Sequence, residues 1–119
     1  MSYVKRSRVT LTTDASSGST GYTSEAINGQ VLGVHYTFQT GFSTSASVAI
    51  IGETTGINVL SAALTSTTSK LWQPRGDIHS TGGSTVAGFE PIPIGDERLQ
   101  ITLSSGGAAK NAIFDVLYG

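Results

Sequence analysis

Cysteine is absent from the 119 residues. That excludes a disulfide framework and thiolate chemistry, and it argues against a small secreted eukaryotic domain, which usually needs such staples. Charge is scarce as well. Only 13% of residues are charged, about half the usual share of roughly 25%. Seven Lys and Arg oppose eight Asp and Glu, for a formal net charge of -1. This balance excludes a disordered polyelectrolyte and, on bulk charge, a basic nucleic-acid binder. No apolar run approaches the roughly 18 residues that a membrane helix needs. The cations that open the chain, Lys5, Arg6 and Arg8, have no apolar stretch behind them, so the N-terminus is not read as a signal peptide. None of Asn28, Asn58 and Asn111 begins a glycosylation sequon. The expectation is a soluble chain made in a cytoplasm.

What is abundant is hydroxyl and backbone. The chain holds 16 Ser, 16 Thr and 15 Gly, with 38% hydrophobic residues. These three residue types are weak in helix interiors, while strand signals recur. Ser7, Val9 and Leu11 alternate with Arg8, Thr10 and Thr12. Tyr22 to Ile27 reads as a short second strand, and Asn28-Gly29 as a two-residue hairpin turn. After it, Leu32, Val34, Tyr36 and Phe38 share a face. Ser47 to Gly52 reads as buried on both faces, followed by strands at Ile57 to Ala62 and Lys70 to Gln73. Pro74 to Ser84 has no clear periodicity and reads as an exposed loop. Two prolines keep Phe89 to Ile94 out of a central ladder, as an edge or lead-in. Arg98 to Ser104 and Asn111 to Tyr118 alternate cleanly. The Ser/Thr patches at Ser16 to Thr20 and Thr65 to Ser69 read as loops. Seven or eight short strands in one domain, 1–119, predict an all-β antiparallel β-sandwich, jelly-roll-like, or a small barrel.

Candidate chemistry is sparse. No Gly-x-Ser-x-Gly elbow accompanies His35 or His79, and His35 falls on the face opposite the apolar one. Asp77 and His79 are two ligand types where a metal site needs three or four. Asp96-Glu97 sits where a tight turn is favoured, without the cleft and raised pKa of acid/base work. Arg75-Gly76-Asp77 spells an integrin tripeptide, a match common by chance. Ser104 to Lys110 lacks the Gly-Lys-Ser/Thr ending of a phosphate loop. The N-terminal cations suit contact with an acidic partner or protection of an edge strand. No catalytic residue, cofactor or metal is expected.

One pattern is larger than any motif. Gly52-Glu53-Thr54-Thr55-Gly56 follows an apolar strand, and Gln73-Pro74-Arg75 precedes Asp77 and Gly82-Gly83. Pro93-Ile94-Gly95-Asp96-Glu97-Arg98-Leu99 leads into a strand, and Gly106-Gly107-Ala108-Ala109-Lys110 precedes the last one. Over most of 30–119 this resembles a group of small virion structural proteins of tailed bacteriophages. The resemblance implies a non-enzymatic capsid decoration or cement protein on the outer surface of the major capsid shell. It implies a virion location, synthesis in the host bacterial cytoplasm, and a homo-oligomer with a trimer favoured. Nucleic acid and membrane are not expected partners. Candidate capsid or oligomer contacts are Tyr3, Lys5, Arg6 and Arg8, with 1–8 as an N-terminal arm, and Arg75, Asp77 and His79 in the long loop. A head–tail junction or tail component is the nearest alternative. A receptor- or glycan-binding β-module is the alternative of another class, with Trp72 and Phe42 as its loop-proximal aromatics.

Overall fold

The computed structural model describes residues 4–13, 18–37, 46–64, 69–104 and 111–119, the side chains of 77–79 and 86–87 excepted. Ten strands are formed there: β1 (Lys5–Thr12), β2 (Ser19–Tyr22), β3 (Ile27–Thr37), β4 (Ala46–Gly52), β5 (Asn58–Leu64), β6 (Lys70–Trp72), β7 (Arg75–His79), β8 (Thr85–Glu97), β9 (Leu99–Ser104) and β10 (Asn111–Tyr118). One sheet runs β1-β10-β3-β8-β7, with β6 also on β3; the other runs β2-β9-β4-β5. All the ladders are antiparallel. The fold is an all-β sandwich. The order β1-β10-β3-β8 in one sheet and β2-β9-β4-β5 in the other is jelly-roll winding, the pattern of two Greek keys. β6 and β7 are additions, inserted between β5 and β8.

Period-two alternation builds the core. Val9 and Leu11, Ile101 and Leu103, and Ala112, Phe114, Val116 and Tyr118 all turn inward and are buried. Tyr36 packs tilted against Phe114, ring centroids 5.3 Å apart, and Trp72 lies 6.4 Å from Tyr36. β4 buries Ala46, Val48 and Ile50 on one face only; Ser47 is exposed, and Ala49 and Ile51 are half-buried. The two-sided burial expected there is corrected.

Other expectations fail for local reasons. Asn28-Gly29 is not a turn but part of β3, opposite Gly95 and Ile94. Gly29 has φ 129°, and a Cβ there would stand 3.1 Å from the Gly119 carbonyl oxygen. The close approach is used, because Gln30 and Gly119 exchange backbone hydrogen bonds at 3.0 and 3.2 Å. Leu32 does not share the face of Val34 and Tyr36. Gly33 pairs with Leu117 and Val31 with Tyr118, so Leu32 is the extra residue of a bulge, and a bulge shifts the phase of the strand by one. Phe38 lies outside the described residues.

The second strand, β2, ends at Tyr22, where the expected strand Tyr22 to Ile27 begins: residues 23–26 form no strand, Ile27 opens β3, and Ser19 and Thr20 leave the expected loop. The long loop expected from Pro74 to Ser84 is instead a strand, β7, and a five-residue turn that leads into β8. Its ladder to β8 pairs Arg75 with Pro91, Gly76 with Glu90 and Asp77 with Phe89. β8 is not an edge strand, yet its prolines are tolerated for the reason edges tolerate them. Among the described residues, 85, 86 and 89–91 pair only with β7, and 92–95 and 97 only with β3. No residue of β8 is paired on both sides, so Pro91 and Pro93 forfeit no second ladder.

Candidate interaction surface

The β7–β8 hairpin is anchored at its base. Pro74, Ile92 and Ile94 are buried. Beyond that point the described side chains are half-buried or exposed. The turn is closed by Ser80 N–H donating to the Ser84 carbonyl at 2.8 Å and Gly83 N–H to the Ser80 carbonyl at 2.9 Å. On this arm Phe89 is 68% exposed, the most exposed large hydrophobic residue among those described. Phe89 was missed as a contact candidate, although its signal is present. Ile92 and Ile94 turn inward, so the odd positions Phe89, Pro91 and Pro93 of the same strand turn away from the core. Arg75 lies on the neighbouring strand, exposed, its Nη1 donating to the Pro74 carbonyl at 2.9 Å. The backbone of Asp77 and His79 belongs to β7; their side chains lie outside the described set. The Arg75-Gly76-Asp77 tripeptide is therefore in a ladder, not in a loop.

The N-terminal candidates divide. Tyr3 lies outside the described residues. Lys5, Arg6 and Arg8 belong to β1, an edge strand paired with β10 along its whole length. Arg8 grips Asp115 with two hydrogen bonds, Nε to Oδ1 at 2.9 Å and Nη2 to Oδ2 at 3.2 Å. This contact raises the pKa of the Arg8 guanidinium further above its ordinary value. Arg6 Nε is 4.0 Å from the same Oδ1, and Lys5 Nζ stands 6.0 Å from the Tyr118 ring centroid. Asp115 so offsets much of one cation, while Lys5 and Arg6 stay exposed at the sheet edge. His35 is opposite Asp115 on one side and Leu71 on the other, on the outer face that alternation assigned to it.

The carboxylate pair at 96–97 marks where the chain passes between sheets. Asp96 is the bulge residue opposite the Ile27–Asn28 step, with φ 56°, a conformation Asp tolerates better than most residues. Glu97 is buried. Its Oε1 accepts the backbone N–H groups of Thr54 at 2.8 Å and Thr55 at 3.0 Å, and its Oε2 accepts the Thr55 hydroxyl at 2.8 Å. Those bonds, led by the Thr55 N–H, hold its pKa below the usual carboxylate range despite burial. A depressed pKa is the opposite of what a general acid needs. Beside it Arg98 donates to both Glu53 oxygens, at 2.7 and 2.6 Å, and lies 4.6 Å from the Tyr22 ring centroid. Thr23, fully buried, accepts the Leu99 N–H at 3.1 Å and donates to the Glu25 carbonyl at 2.8 Å. This clasp ties the β4–β5 turn to the crossing between sheets; nothing in the local sequence announces it, because Glu97 and Thr55 are 42 positions apart.

Among the described residues no three His, Asp or Glu side chains are placed to hold a metal ion, and no helix is long and apolar enough to cross a membrane. Trp72 is half-buried against Tyr36; Phe42 lies outside the described residues. No family model matches the chain, and no curated protein matches it. Among solved structures it is similar to the one titled "Crystal Structure of FLHE", with 12% sequence identity and a TM-score of 0.38 over 98% of this chain and 96% of that one. A likeness that distant carries no functional argument.

Proposed function

We propose that this chain is a non-enzymatic structural protein of a tailed bacteriophage virion, a decoration protein bound to the outer surface of the shell formed by the major capsid protein. The observation that carries this reading is the exposed Phe89 on a hairpin inserted into a jelly roll. Residues 85, 86 and 89–91 are paired to β7 rather than to the body of the sheet, and among the described side chains of 75–91 none belongs to the buried core. An aromatic held outside the core on a preformed β ladder is suited to a pocket on a partner, and it loses little conformational entropy on docking. The resemblance over 30–119 supplies the kind of partner.

The clasp supports the same reading from the other side. The buried carboxylates of Glu97 and Asp115 are both engaged in holding strand to strand. Among the described residues that face outward are the Phe89 ring and the cations Lys5 and Arg6. Bound to a shell, such a module adds buried interface between neighbouring subunits and raises the barrier to rupture. Lys5 and Arg6 add attraction to an acidic shell surface, screened by salt.

The test is particle stability. Particles stripped of this protein should release their genome at a lower temperature than decorated ones, and adding the purified protein back should restore the higher temperature. Lys5→Ala with Arg6→Ala should weaken rebinding, most at low salt. Equal rupture temperatures for stripped and decorated particles would contradict the decoration role.

A further inference from the structure

Among the described residues the open sheet edges are not alike; β6, on β3, is only three residues long and carries Lys70. β1 carries Lys5, Arg6 and Arg8, β2 is only four residues long, and β7 contains Arg75 and Asp77. Charge and shortness are the usual protections against edge-to-edge pairing. β5 has neither. Its seven residues, Asn58 to Leu64, include no charged residue and no proline. Among the described residues its one ladder is to β4. The core is also incompletely covered there, since Leu60 and Ala62 pack against it but remain half-buried.

We propose that β5 pairs antiparallel with β5 of a second copy of this chain, centred on Ser61, so that two four-stranded sheets become one continuous eight-stranded sheet across a twofold axis. The strand itself names the occupant. Val59 and Leu60 precede Ser61, and Ala62 and Ala63 follow it. In antiparallel pairing about Ser61, Leu60 meets the second copy's Ala62 on the core-facing side, while Val59, the bulge residue of β5 opposite the Ile50–Ile51 step, is already buried in its own core and takes no place in this register. The twofold repeats this contact, so the large Leu60 faces the small Ala62 twice, on the same face of the sheet. The added strand covers the half-buried Leu60 and Ala62. An isologous contact repeats every residue, so a charged edge would oppose its own charge; β5 has none to oppose. A foreign strand would satisfy the backbone equally but has no reason to match this order of large and small. The pairing does not rest on the capsid reading, because it forms in the purified chain or not at all.

Sedimentation equilibrium of the purified protein should give a dimer. Ser61→Lys and Ser61→Glu, with unchanged circular dichroism, should each sediment as monomers, and an equal mixture should recover the dimer. Because the chain has no cysteine, Ser61→Cys gives an independent readout. Directly opposed cross-strand Cβ atoms lie about 4.5–5.5 Å apart, near disulfide range, so mild oxidation should link Ser61→Cys chains in pairs. Ser47→Cys, exposed on β4 one strand in from the edge, should not link. A wild-type monomer or trimer, dimers that persist in folded Ser61→Lys, or equal linking at positions 61 and 47 would overturn the pairing.

Discussion

The Glu97 carboxylate fills the space that a side chain at Gly52 would need. A Cβ built on Gly52 would overlap Glu97 Oε1 and lie 2.9 Å from both Glu97 Cδ and Thr55 Oγ1. The Gly52 N–H also donates to the Ile57 carbonyl at 2.9 Å, and its own carbonyl accepts the Gly56 N–H at 3.0 Å. The backbone on both sides of the missing side chain is therefore tied down.

Gly52→Ala should destabilise the protein by about 1–3 kcal/mol, the usual range for inserting a methyl into a packed site. Glu97 can yield only by giving up hydrogen bonds from Thr54 and Thr55. Urea unfolding of the two proteins checks this, and a shift in midpoint at constant slope is the expected form. An unchanged midpoint would mean that the carboxylate moves aside freely.

Glu97 also sets an acid limit. Its pKa is below the ordinary carboxylate value in the folded chain, so folding favours the ionised form. The resulting stability is complete above the ordinary carboxylate range and is lost as pH falls through the folded value. Glu53 acts in the same direction, through its hydrogen bonds from Arg98. The wild type should thus lose stability more steeply on acidification than Glu97→Gln, and the two should converge at the acid end. Parallel acid limbs in thermal unfolding would show that Glu97 contributes nothing.

How far these contacts are legible in the sequence depends on whether their partners are local. Ser7, Val9 and Leu11 in β1, and Leu99, Ile101 and Leu103 in β9, announce their buried face because one side of each strand meets the core. Arg75 to His79 announces nothing, since Ile78 is its one apolar residue and alternation has no apolar face to report. Leu32 misleads because a bulge shifts its phase, and bulges have no compositional signature here. Glu97 reads as a turn residue because its three donors arrive from a different sheet. Phe89 was readable in principle, from its parity against Ile92 and Ile94, but a segment with two prolines draws attention to its backbone.

Ser7 gives an inverted prediction. It is buried opposite Val116, and its hydroxyl oxygen has no hydrogen-bond partner among the described residues. An unpaired buried hydroxyl is a cost of about 1–3 kcal/mol, offset in part by the packing of its own atoms. Ser7→Ala should therefore leave stability unchanged or raise it, by up to about 1 kcal/mol. A clear loss in the urea midpoint would show that the hydroxyl is bonded.

Phe89 separates fold from docking. Exposed substitutions away from caps and buried networks usually fall within about 0.5 kcal/mol of neutral. Phe89→Ser should accordingly keep the wild-type thermal midpoint while binding to stripped shells drops at least tenfold in a co-sedimentation titration. Undiminished binding by this variant would remove the hairpin from the interface.

The most direct test of the proposed role is a residue-resolution image of virus particles purified from the source whose genome encodes this chain. The account predicts the two-sheet sandwich on the outside of the capsid shell, with the β7–β8 hairpin directed at the major capsid protein and the Phe89 ring in contact with it. A shell without that density, or the same sandwich found at the portal vertex or along the tail, would contradict it.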